Sequence, residues 1–541
     1  MTGIVQALIG GLGAAAGAVT DAYFYLVTLL LNTTSTNGAQ NNTFLDSSSN
    51  AFTITRNGNT TQGTFTPFSQ TGWSYYTGAQ GNSGFQVAYN GTNPIVSQGG
   101  AYTLEGWFFI TSPPTGNTAT TALPIASTSS SSASTGNGRG WWFGNTQIVF
   151  ENRPGTSIVG VNWTPIYNQW FHFAFVTADG SNYTIYINGV SIGTYADSGT
   201  YFADSAYNFY PAVFCGNMTA AAGAMYISNL RYCQIAVYTG NFTVPTSKLS
   251  ATQSAGTNIS AITGNQCTVL VCQSNRTVDN GSYSLTTSFP FFNSQSVQAF
   301  SPFAPASAYS ASVVGGSGYF SSATSDYLSA PNNTALEFGA GDFTVQVWVY
   351  LTSLANNVTM FSSQSTAGSA MQFGLRVLTT GAIDVAINNA SVLTSSAGDI
   401  PLNAWMHVAC SRLSGTLRIF KNGVQATSVA NSTTINTGDF KYVGYEIYNT
   451  RYLTGYLSSL MVQKGTGYST LPLPTAPLTA ITNTSLLLNF TNAGIYDAAA
   501  KNDMQTVGNA QVSTTQAKFG SESMYFDGTG DWLVIPTDKK I

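Results

Sequence analysis

One segment of the sequence occurs twice with the same order of residue types. Around Trp170 the chain reads NQWFHFAFVTADGSNYTIYINGVSIGT, and around Trp405 it reads NAWMHVACSRLSGTLRIFKNGVQATS. In both copies Asn-x-Trp-x-His-x-Ala leads through a polar turn into an alternating strand that ends in Asn-Gly. Asn-Gly between alternating apolar runs predicts a two-residue hairpin of type I′, because both central residues of that turn have positive φ. The sequence therefore predicts a duplicated domain built of antiparallel strands.

Other segments repeat in the same order along the two copies. YTLEGWFFI at Tyr102 matches FTVQVWVYL at Phe343, and AMYISNLRY at Ala224 matches GYLSSLMVQ at Gly455. A third motif occurs three times, as VTLLLN, CTVLVC and TSLLLN, and we take it as the opening strand of each copy. These matches predict a first sandwich over residues 27–250 and a second over residues 265–478.

The end of the chain repeats the opening of a copy without the rest of it. MYFDGTGDWLVIP at Met524 corresponds to GYFSSATSDYLSAP at Gly318, so residues 484–541 are predicted to be a partial third repeat. A partial sandwich leaves strand edges unpaired and apolar side chains uncovered. Three explanations stay open: a longer natural chain, completion by strands of another subunit, or docking of these strands onto the first or second copy.

Composition predicts an all-β protein of low charge. Charged residues make up 7% of the 541 residues, against an average of about 25%, while the chain holds 54 Gly and a polar content of Ser, Thr, Asn and Gln. Ser, Thr and Asn disfavour helices and suit turns and strands. With 17 Lys and Arg against 21 Asp and Glu, no basic field is available to neutralise phosphates, which argues against a nucleic-acid partner. Low-charge strands aggregate unless their edges are covered, so we expect assembly, with a homo-oligomer as one form of it.

Residues 1–26 are predicted to be a short apolar N-terminal segment. They are rich in Gly and Ala and carry one charge, Asp21, which fits neither a basic secretory leader nor a strongly apolar membrane span. We interpret the segment as an anchor that packs against a neighbouring chain, with a frayed tail as the alternative. The five cysteines are odd in number and widely spread, which favours buried thiols over a disulfide framework.

The copies resemble tandem laminin-G-like, concanavalin A-like jelly-roll domains, in particular those of virion proteins of marine tailed phages. The segments that carry the resemblance are DAYFYLVTLLLN, FLDSSSNAFTITRNGNTTQGTF, GDFTVQVWVY, NAWMHVACSRLSGTLRIFKNGVQ and KFGSESMYFDGTGDWL. The resemblance implies tandem antiparallel β-sandwiches, with function on the loops at one rim or on the concave sheet.

The sequence lacks the residues that glycoside cleavage needs. Glucanases that share this sandwich carry two glutamates flanking an aspartate on one strand, whereas Glu105 stands in LEGWF without a carboxylate at i+2 or i+4, and its counterpart is Gln346. His172 and His407 occupy matching strand positions, and we expect both to be structural, with each ring held by a neighbouring backbone group. We therefore predict a protein that is not an enzyme and has no catalytic residues.

Two kinds of binding site are candidates. Laminin-G-like domains often hold Ca²⁺ at one rim through Asp and backbone oxygens, which marks Asp326, Asp342, Asp527 and Asp531 as metal ligands, with turn formation as the competing role. GWWFGN places Trp141 and Trp142 on opposite faces of a strand, so one of them would be free to stack on a sugar or on another subunit, and a core contact is the alternative. No other cofactor is expected.

The sequence predicts a non-enzymatic phage virion structural protein: a tail fibre, an appendage or a capsid-surface component. Its expected location is the surface of the extracellular particle, and its expected partners are other virion proteins. The alternative is a glycan-binding adhesin whose loops bind host surface polysaccharide.

Overall fold

The architecture was examined in a computed structural model of the chain. The structure describes residues 27–535 except 28, 35, 67, 70–71, 78–83, 93, 97–99, 119–120, 130–137, 154–156, 197–206, 213–223, 289–295, 300–308, 366–369, 499–503 and 519–520. The predicted anchor, residues 1–26, lies outside this part of the chain. The described residues divide into two compact units, one of residues 71–304 and one of residues 1–70 with 305–541, which we call the middle unit and the split unit.

Nearly all regular structure is β-strand, as the composition predicts. In chain order the strands are β1 (Leu31–Thr33), β2 (Thr55–Asn57), β3 (Thr61–Gly63), β4 (Ser74–Tyr76), β5 (Gln86–Val87), β6 (Tyr102–Ile110), β7 (Leu123–Ser129), β8 (Gly138–Phe143), β9 (Gln147–Arg153), β10 (Ser157–Asn162), β11 (Trp170–Thr177), β12 (Asn182–Ile187), β13 (Val190–Ala196), β14 (Asn208–Pro211), β15 (Met225–Cys233), β16 (Cys267–Val271), β17 (Thr287–Ser288), β18 (Ser296–Gln298), β19 (Ser317–Phe320), β20 (Tyr327–Ala330), β21 (Phe343–Leu351), β22 (Val358–Gln364), β23 (Met371–Val377), β24 (Ile383–Ile387), β25 (Ala390–Thr394), β26 (Trp405–Leu413), β27 (Thr416–Lys421), β28 (Val424–Ala430), β29 (Phe440–Val443), β30 (Tyr445–Glu446), β31 (Arg451–Tyr452), β32 (Gly455–Lys464), β33 (Thr484–Leu488), β34 (Ile495–Asp497), β35 (Gln505–Val507), β36 (Gln511–Ser513), β37 (Ser523–Tyr525) and β38 (Trp532–Val534). One α-helical turn, α1 (Ala311–Val314), and two 3₁₀ turns, Ser322–Thr324 and Thr334–Leu336, complete the described elements.

The middle unit contains two antiparallel sheets. One has the order β13-β12-β11-β6-β15-β4-β18 with β16 also paired to β15, and the other has the order β10-β9-β8-β7-β14-β5-β17. Side chains along β6 and β11 are largely buried, and aromatic rings fill the core, with Phe108 and Phe143 centred 5.0 Å apart across it.

The split unit repeats this topology strand for strand. Its sheets have the orders β28-β27-β26-β21-β32-β19-β3, with β33 paired to β32, and β25-β24-β23-β22-β29-β20-β2. A continuous apolar core lies between β21 and β26 of one sheet and β22 and β23 of the other, and it includes Val347, Val408 and Phe373. The predicted class, tandem antiparallel β-sandwiches, is confirmed.

The duplicated hairpins form as the sequence predicts. Asn188 and Gly189 have φ angles of 48° and 77°, and Asn422 and Gly423 have φ angles of 49° and 81°, the signature of a type I′ turn. Each Asn also donates its backbone N–H to the carbonyl of the histidine at the third position of the hairpin's first strand, at 2.8 Å for His172 and 2.9 Å for His407. Trp170 and Trp405 likewise occupy matching positions, since each is the first residue of its strand, β11 or β26.

The units divide the chain at positions that differ from the predicted domains. Residues 27–70 do not join the first sandwich but belong to the split unit, and residues 265–304 belong to the middle unit. The motif CTVLVC is therefore the closing strand of the first sandwich, where β16 pairs with β15, and TSLLLN closes the second, where β33 pairs with β32. The pattern of apolar residues predicts where a strand forms, but it does not specify which neighbouring strand it pairs with.

The partial third repeat is divided between several sheets. Strand β33 docks onto the second sandwich, β34 pairs with β1, and β35 to β38 form two small antiparallel pairs. The four described cysteines, Cys233, Cys267, Cys272 and Cys410, are buried free thiols, as expected. Among the described residues, no helix is both long and apolar enough to span a membrane.

Candidate functional site

A polar groove of about 570 Å³ opens at one end of the split unit's sandwich. The loop before β22, the hairpin that joins β30 to β31, and the 3₁₀ turn at Ser322 form its walls. Its lining is dominated by amides and hydroxyl groups and consists of Ser322, Ser353, Ala355, Asn356, Asn357, Val358, Asn449, Thr450, Arg451, Tyr452 and Thr454. We call it the rim groove.

A buried carboxylate beneath the rim groove holds two of its side chains. Glu446 is completely buried, and its Oε1 atom accepts a hydrogen bond from Asn449 Nδ2 at 2.6 Å. Its Oε2 atom lies 3.6 Å from Arg451 Nη1 and 3.8 Å from Arg376 Nη1. Thr359 Oγ1 donates a further hydrogen bond to Oε2 at 3.3 Å. Because this carboxylate is neutralised and fixed from several sides, Asn449 and Arg451 are held in place rather than free to rotate.

An aromatic stack supports the other wall of the rim groove. The rings of Tyr452 and Tyr445 are stacked with centroids 4.3 Å apart, and the ring of Tyr327 lies 4.7 Å from that of Tyr445. Burial, followed by the hydrogen bond with Tyr452, raises the pKa of Tyr445, so this hydroxyl stays protonated at neutral pH. Tyr452 is partly exposed and lines the groove, so an aromatic ring is available there beside hydroxyl and amide groups.

A hydrogen bond between two hydroxyl side chains closes the third wall of the rim groove. Thr454 Oγ1 lies 2.9 Å from Ser322 Oγ and accepts the backbone N–H of Ser322 at 3.3 Å. Asn357 is fixed in a similar way, because its Oδ1 atom accepts the N–H of Thr379 at 2.8 Å and leaves the amide nitrogen as a donor. The rim groove thus offers positioned hydrogen-bond donors and acceptors around an aromatic face, which suits a ligand rich in hydroxyl groups.

A second, shallower groove of about 480 Å³ lies on the middle unit. It is lined by Asn162, Trp163, Thr164, Ile187 and Ile192. Trp163 is partly exposed, its ring stacks on Phe143 at 5.1 Å, and its Nε1 atom donates to the carbonyl of Gly144 at 3.1 Å. The sequence analysis did not single out this tryptophan.

The predicted aromatic platform is not exposed in the structure. Trp141 and Trp142 each have 1% of their surface accessible, so neither ring can stack on a sugar. Trp141 packs among core aromatics such as Phe150, at 5.7 Å, and Trp142 packs against Ala122 and Val149 while its Nε1 atom donates to a backbone carbonyl. These two residues are adjacent on β8 and both are buried, so the unit covers both faces of this strand. The core contact, the alternative in the sequence analysis, is what the structure shows.

The predicted metal ligands accept backbone hydrogen bonds. Asp326 accepts the N–H groups of Asn59 and Ser321, and Asp342 accepts that of Ser414 at 2.8 Å. Burial is the largest influence on Asp326 and raises the pKa of its carboxyl.

Asp527 and Asp531 lie in one turn, where Asp531 accepts the N–H of Asp527 at 2.7 Å and Asp527 accepts that of Thr529 at 2.7 Å. Within the described residues, no group of three or more His, Cys, Asp or Glu side chains comes together in a way that would hold a metal ion. These carboxylates accept backbone N–H groups, as the competing, turn-forming role requires, and calcium binding at them stays a prediction.

The two histidines line neither groove and lie on the face of their strands opposite the one that packs into the core between the sheets. His172 and His407 are fully buried, and each ring is held by a side chain rather than by the backbone group that the sequence predicts. His172 Nε2 lies 3.2 Å from Glu105 Oε2, and His407 Nε2 lies 3.2 Å from Gln346 Oε1.

The rim groove was not predicted from the sequence. Its residues come from three loops that lie far apart in the sequence, and Asn, Ser and Thr are too common in this chain to stand out. The one local signal is Glu446, an acidic residue in a chain with few charges, placed three residues before Asn449 and five before Arg451.

Several solved structures match the chain at low sequence identity and low TM-score. A search of curated protein sequences found no match. Among solved structures, the LG4-5 domains of the mouse laminin α1 chain are 11% identical, with 79% of this chain and 95% of that chain covered and a TM-score of 0.23. The CBM40 domain of the Ruminococcus gnavus IT-sialidase, bound to α2,3-sialyllactose, is 14% identical, with 25% and 80% covered and a TM-score of 0.23. Domain 4 of an extracellular arabinanase from Geobacillus stearothermophilus, in complex with arabinotriose, is 16% identical, with 29% and 76% covered and a TM-score of 0.23.

A family model covers the part of the chain that carries the rim groove. Residues 322–466 match the model described as the concanavalin A-like lectin/glucanases superfamily, and all eleven groove residues fall within this range. The fold of this sandwich is therefore concanavalin A-like.

Proposed function

We propose that the protein is a non-enzymatic glycan-binding protein and that the rim groove of the split unit is its binding site. The observation that carries the proposal is the set of polar side chains fixed around one buried carboxylate, Glu446, beside the partly exposed ring of Tyr452. Sugar rings present hydroxyl groups to amides and a less polar face to aromatic rings, and this groove offers both kinds of partner.

The groove residues favour binding over cleavage. Glycoside hydrolysis needs two carboxyl groups about 5 to 9.5 Å apart, one of them able to donate a proton. The one carboxylate bonded to the lining, Glu446, is completely buried, and its two oxygens already accept hydrogen bonds from Asn449 and Thr359. We therefore expect a glycan to be bound and released unchanged.

The test is a glycan array probed with the full chain and with two variants. Asn449→Ala removes a positioned amide from the groove, and we expect it to weaken binding at least tenfold. Asn436→Ala is the matched control, since Asn436 is an exposed asparagine of the same unit that does not line the groove. Binding that is absent in the native chain, or equal for Asn449→Ala and the native chain, would contradict the proposal. Incubation of any retained glycan, with its length followed by mass spectrometry, tests the absence of cleavage.

A structural role in a phage particle is the second proposal. The sequence resemblance to virion proteins and the repeated, weakly charged sandwiches support it, and it is compatible with glycan binding at the particle surface. Immunogold labelling of intact particles with antibodies against the chain is the test. Labelling of the particle surface is expected, and absence of the chain from the protein content of purified particles would refute this role.

A further inference from the structure

In both units two consecutive strands fill the same two positions, one strand at the end of each sheet. In the middle unit these strands are β17 and β18, the next strands in the chain after the closing strand β16. In the split unit the equivalent positions are filled by β2 and β3, which come from the other end of the chain. The strands β35 and β36, which come after the split unit's own closing strand β33 and after β34 in the chain, pair instead with β38 and β37, respectively.

An aspartate clamps the closing strand of the middle unit locally. Asp279 Oδ1 accepts the backbone N–H of Leu270 at 2.8 Å, and the next residue, Asn280, donates its N–H to the carbonyl of Leu270 at 2.7 Å. The clamp joins residues nine positions apart in the sequence. It fixes both backbone groups of one strand residue and so sets where the chain leaves the sheet.

The same clamp occurs twice in the split unit, with its partners exchanged. Asp46 Oδ1 accepts the N–H of Leu487 at 2.9 Å, 441 positions away, and Asp497 Oδ1 accepts the N–H of Leu30 at 2.8 Å, 467 positions away. In each case the residue after the aspartate donates its N–H to the carbonyl of the same leucine, at 2.8 and 2.7 Å. A local clamp of the kind seen in the middle unit would join Asp46 to Leu30 and Asp497 to Leu487. The segment that carries Asp46 and the segment that carries Asp497 have therefore exchanged their leucine partners.

The turn between β2 and β3 and the turn between β35 and β36 are held by the same kind of hydrogen bond, which we call the lock. Asn59 donates its N–H to Asp326 Oδ1 at 2.5 Å, and Asn509 donates its N–H to Asp531 Oδ1 at 2.6 Å. The glycine before each asparagine has a φ of 67°. Their strands also meet their partners in matching register, with Thr61 opposite Tyr319 and Gln511 opposite Tyr525. The segment with β2 and β3 and the segment with β35 and β36 are therefore equivalent partners for one kind of sheet edge.

We propose that residues 46–63 are an exchangeable donor segment and that two copies of this chain associate when each donates it to the other. The acceptor is the edge formed by the closing strand β33 and by strands β19 and β20, with Asp326 as the lock. The proposal does not depend on the rim groove.

A second copy is the partner because the acceptor recognises features that this chain itself supplies. The clamp aspartate, the Gly-Asn turn and the strand register are all present in residues 46–63 of every copy. The cost of closing a loop grows with its length, so the advantage of an in-chain donor is smaller over 441 positions than over nine. Exchange of identical elements is a known route to dimers, and added strands supply main-chain hydrogen bonds at an open edge.

Cysteine pairing between two differently marked chains tests the exchange. Thr55 lies opposite Ser329 across β2 and β20. Chains with Thr55→Cys and chains with Ser329→Cys are mixed, unfolded together, refolded, oxidised mildly and separated without reductant. We expect a covalent heterodimer. The matched control is Gln505→Cys mixed with Val534→Cys, a pair in equivalent register across the local strands β35 and β38, which is expected to give at least tenfold less heterodimer.

Three results decide whether two chains exchange residues 46–63. A heterodimer enriched over the control supports the proposal, and each single variant refolded alone gives the background. A mixture that gives no more heterodimer than the control overturns it. The chain that carries both Thr55→Cys and Ser329→Cys tests the pairing itself, because failure to form an in-chain or interchain disulfide there would overturn the strand assignment and the proposal with it.

Discussion

The Nε2 atom of His172 lies 3.2 Å from the Oε2 atom of Glu105, and both side chains are fully buried. Arg231 completes this group, with its Nη2 atom 2.7 Å from Glu105 Oε1. In the split unit the equivalent strand positions hold Gln346 and Met461, which are neutral. The buried charges of Glu105 and Arg231 thus occur together in the middle unit, and neither is present at the equivalent positions of the split unit. Both units keep the histidine.

The first prediction follows from this difference between the units. Glu105→Gln leaves the guanidinium of Arg231 buried without its carboxylate, and we expect it to lower the free energy of unfolding by about 3 to 5 kcal/mol. The double variant Glu105→Gln with Arg231→Met copies the neutral pair of the split unit and is expected to regain more than half of that loss. Urea unfolding of the full chain, followed by tryptophan fluorescence, measures both. Equal loss in the single and double variants would show that the charge pairing is not the cause.

The second prediction concerns acid stability. Burial by itself would raise the pKa of Glu105, but the charge of Arg231 and the hydrogen bond from His172 outweigh it and lower the pKa from 4.5 to about 2. The folded carboxyl therefore stays ionised at a pH where the unfolded one takes up a proton, so its contribution is complete above pH 4.5 and is lost as the pH falls towards 2. We expect the urea midpoint of the native chain to fall more steeply between pH 5 and pH 3 than that of the double variant. Parallel profiles for the two chains would contradict this.

Local features of the fold were predictable from the sequence. The Asn-Gly turn at Asn188 and Gly189 and its copy at Asn422 and Gly423 were placed correctly, because positive φ at two successive residues restricts the choice of residue types. The strands around Trp170 and Trp405 follow from alternation. Which strand closes a sheet was not predictable, because Leu487 and Leu30 stand in nearly identical local sequences and differ only in the distant aspartate that binds each of them.

The candidate site was largely invisible at the level of sequence. Asn449 and Ser322 meet in the rim groove only because two loops of the sandwich end at the same rim. Exposure of an aromatic side chain was equally inaccessible, since alternation along β8 assigned one tryptophan to the surface while the unit covers both faces of that strand.

The third prediction concerns these tryptophans. Because Trp141 and Trp142 are both 1% exposed, replacement of either by Ala leaves a large cavity, and we expect a loss of about 3 to 5 kcal/mol in the free energy of unfolding. Trp532→Ala is the control, since that side chain is 51% exposed and its loss should change stability by less than about 0.5 kcal/mol. Chemical unfolding of the three variants makes the comparison. Trp141→Ala and Trp142→Ala chains as stable as the native one would mean that these rings are not in the core.

The last prediction tests the lock between the donor segment and Asp326, the residue before β20. Gly58 has a φ of 67°, where L-residues are strained, and a Cβ at this position would collide with Oδ1 of Asp326 and approach the carbonyl of Thr324 to 2.8 Å. Gly58→Ala should therefore lower the free energy of unfolding by about 2 to 3 kcal/mol, more than strain alone would cause. Gly91→Ala isolates the strain, because Gly91 has a φ of 82° and nothing within 4 Å of the added carbon. If the two substitutions reduce stability equally, the collision with Asp326 contributes nothing, and the donor segment does not pack against this carboxylate.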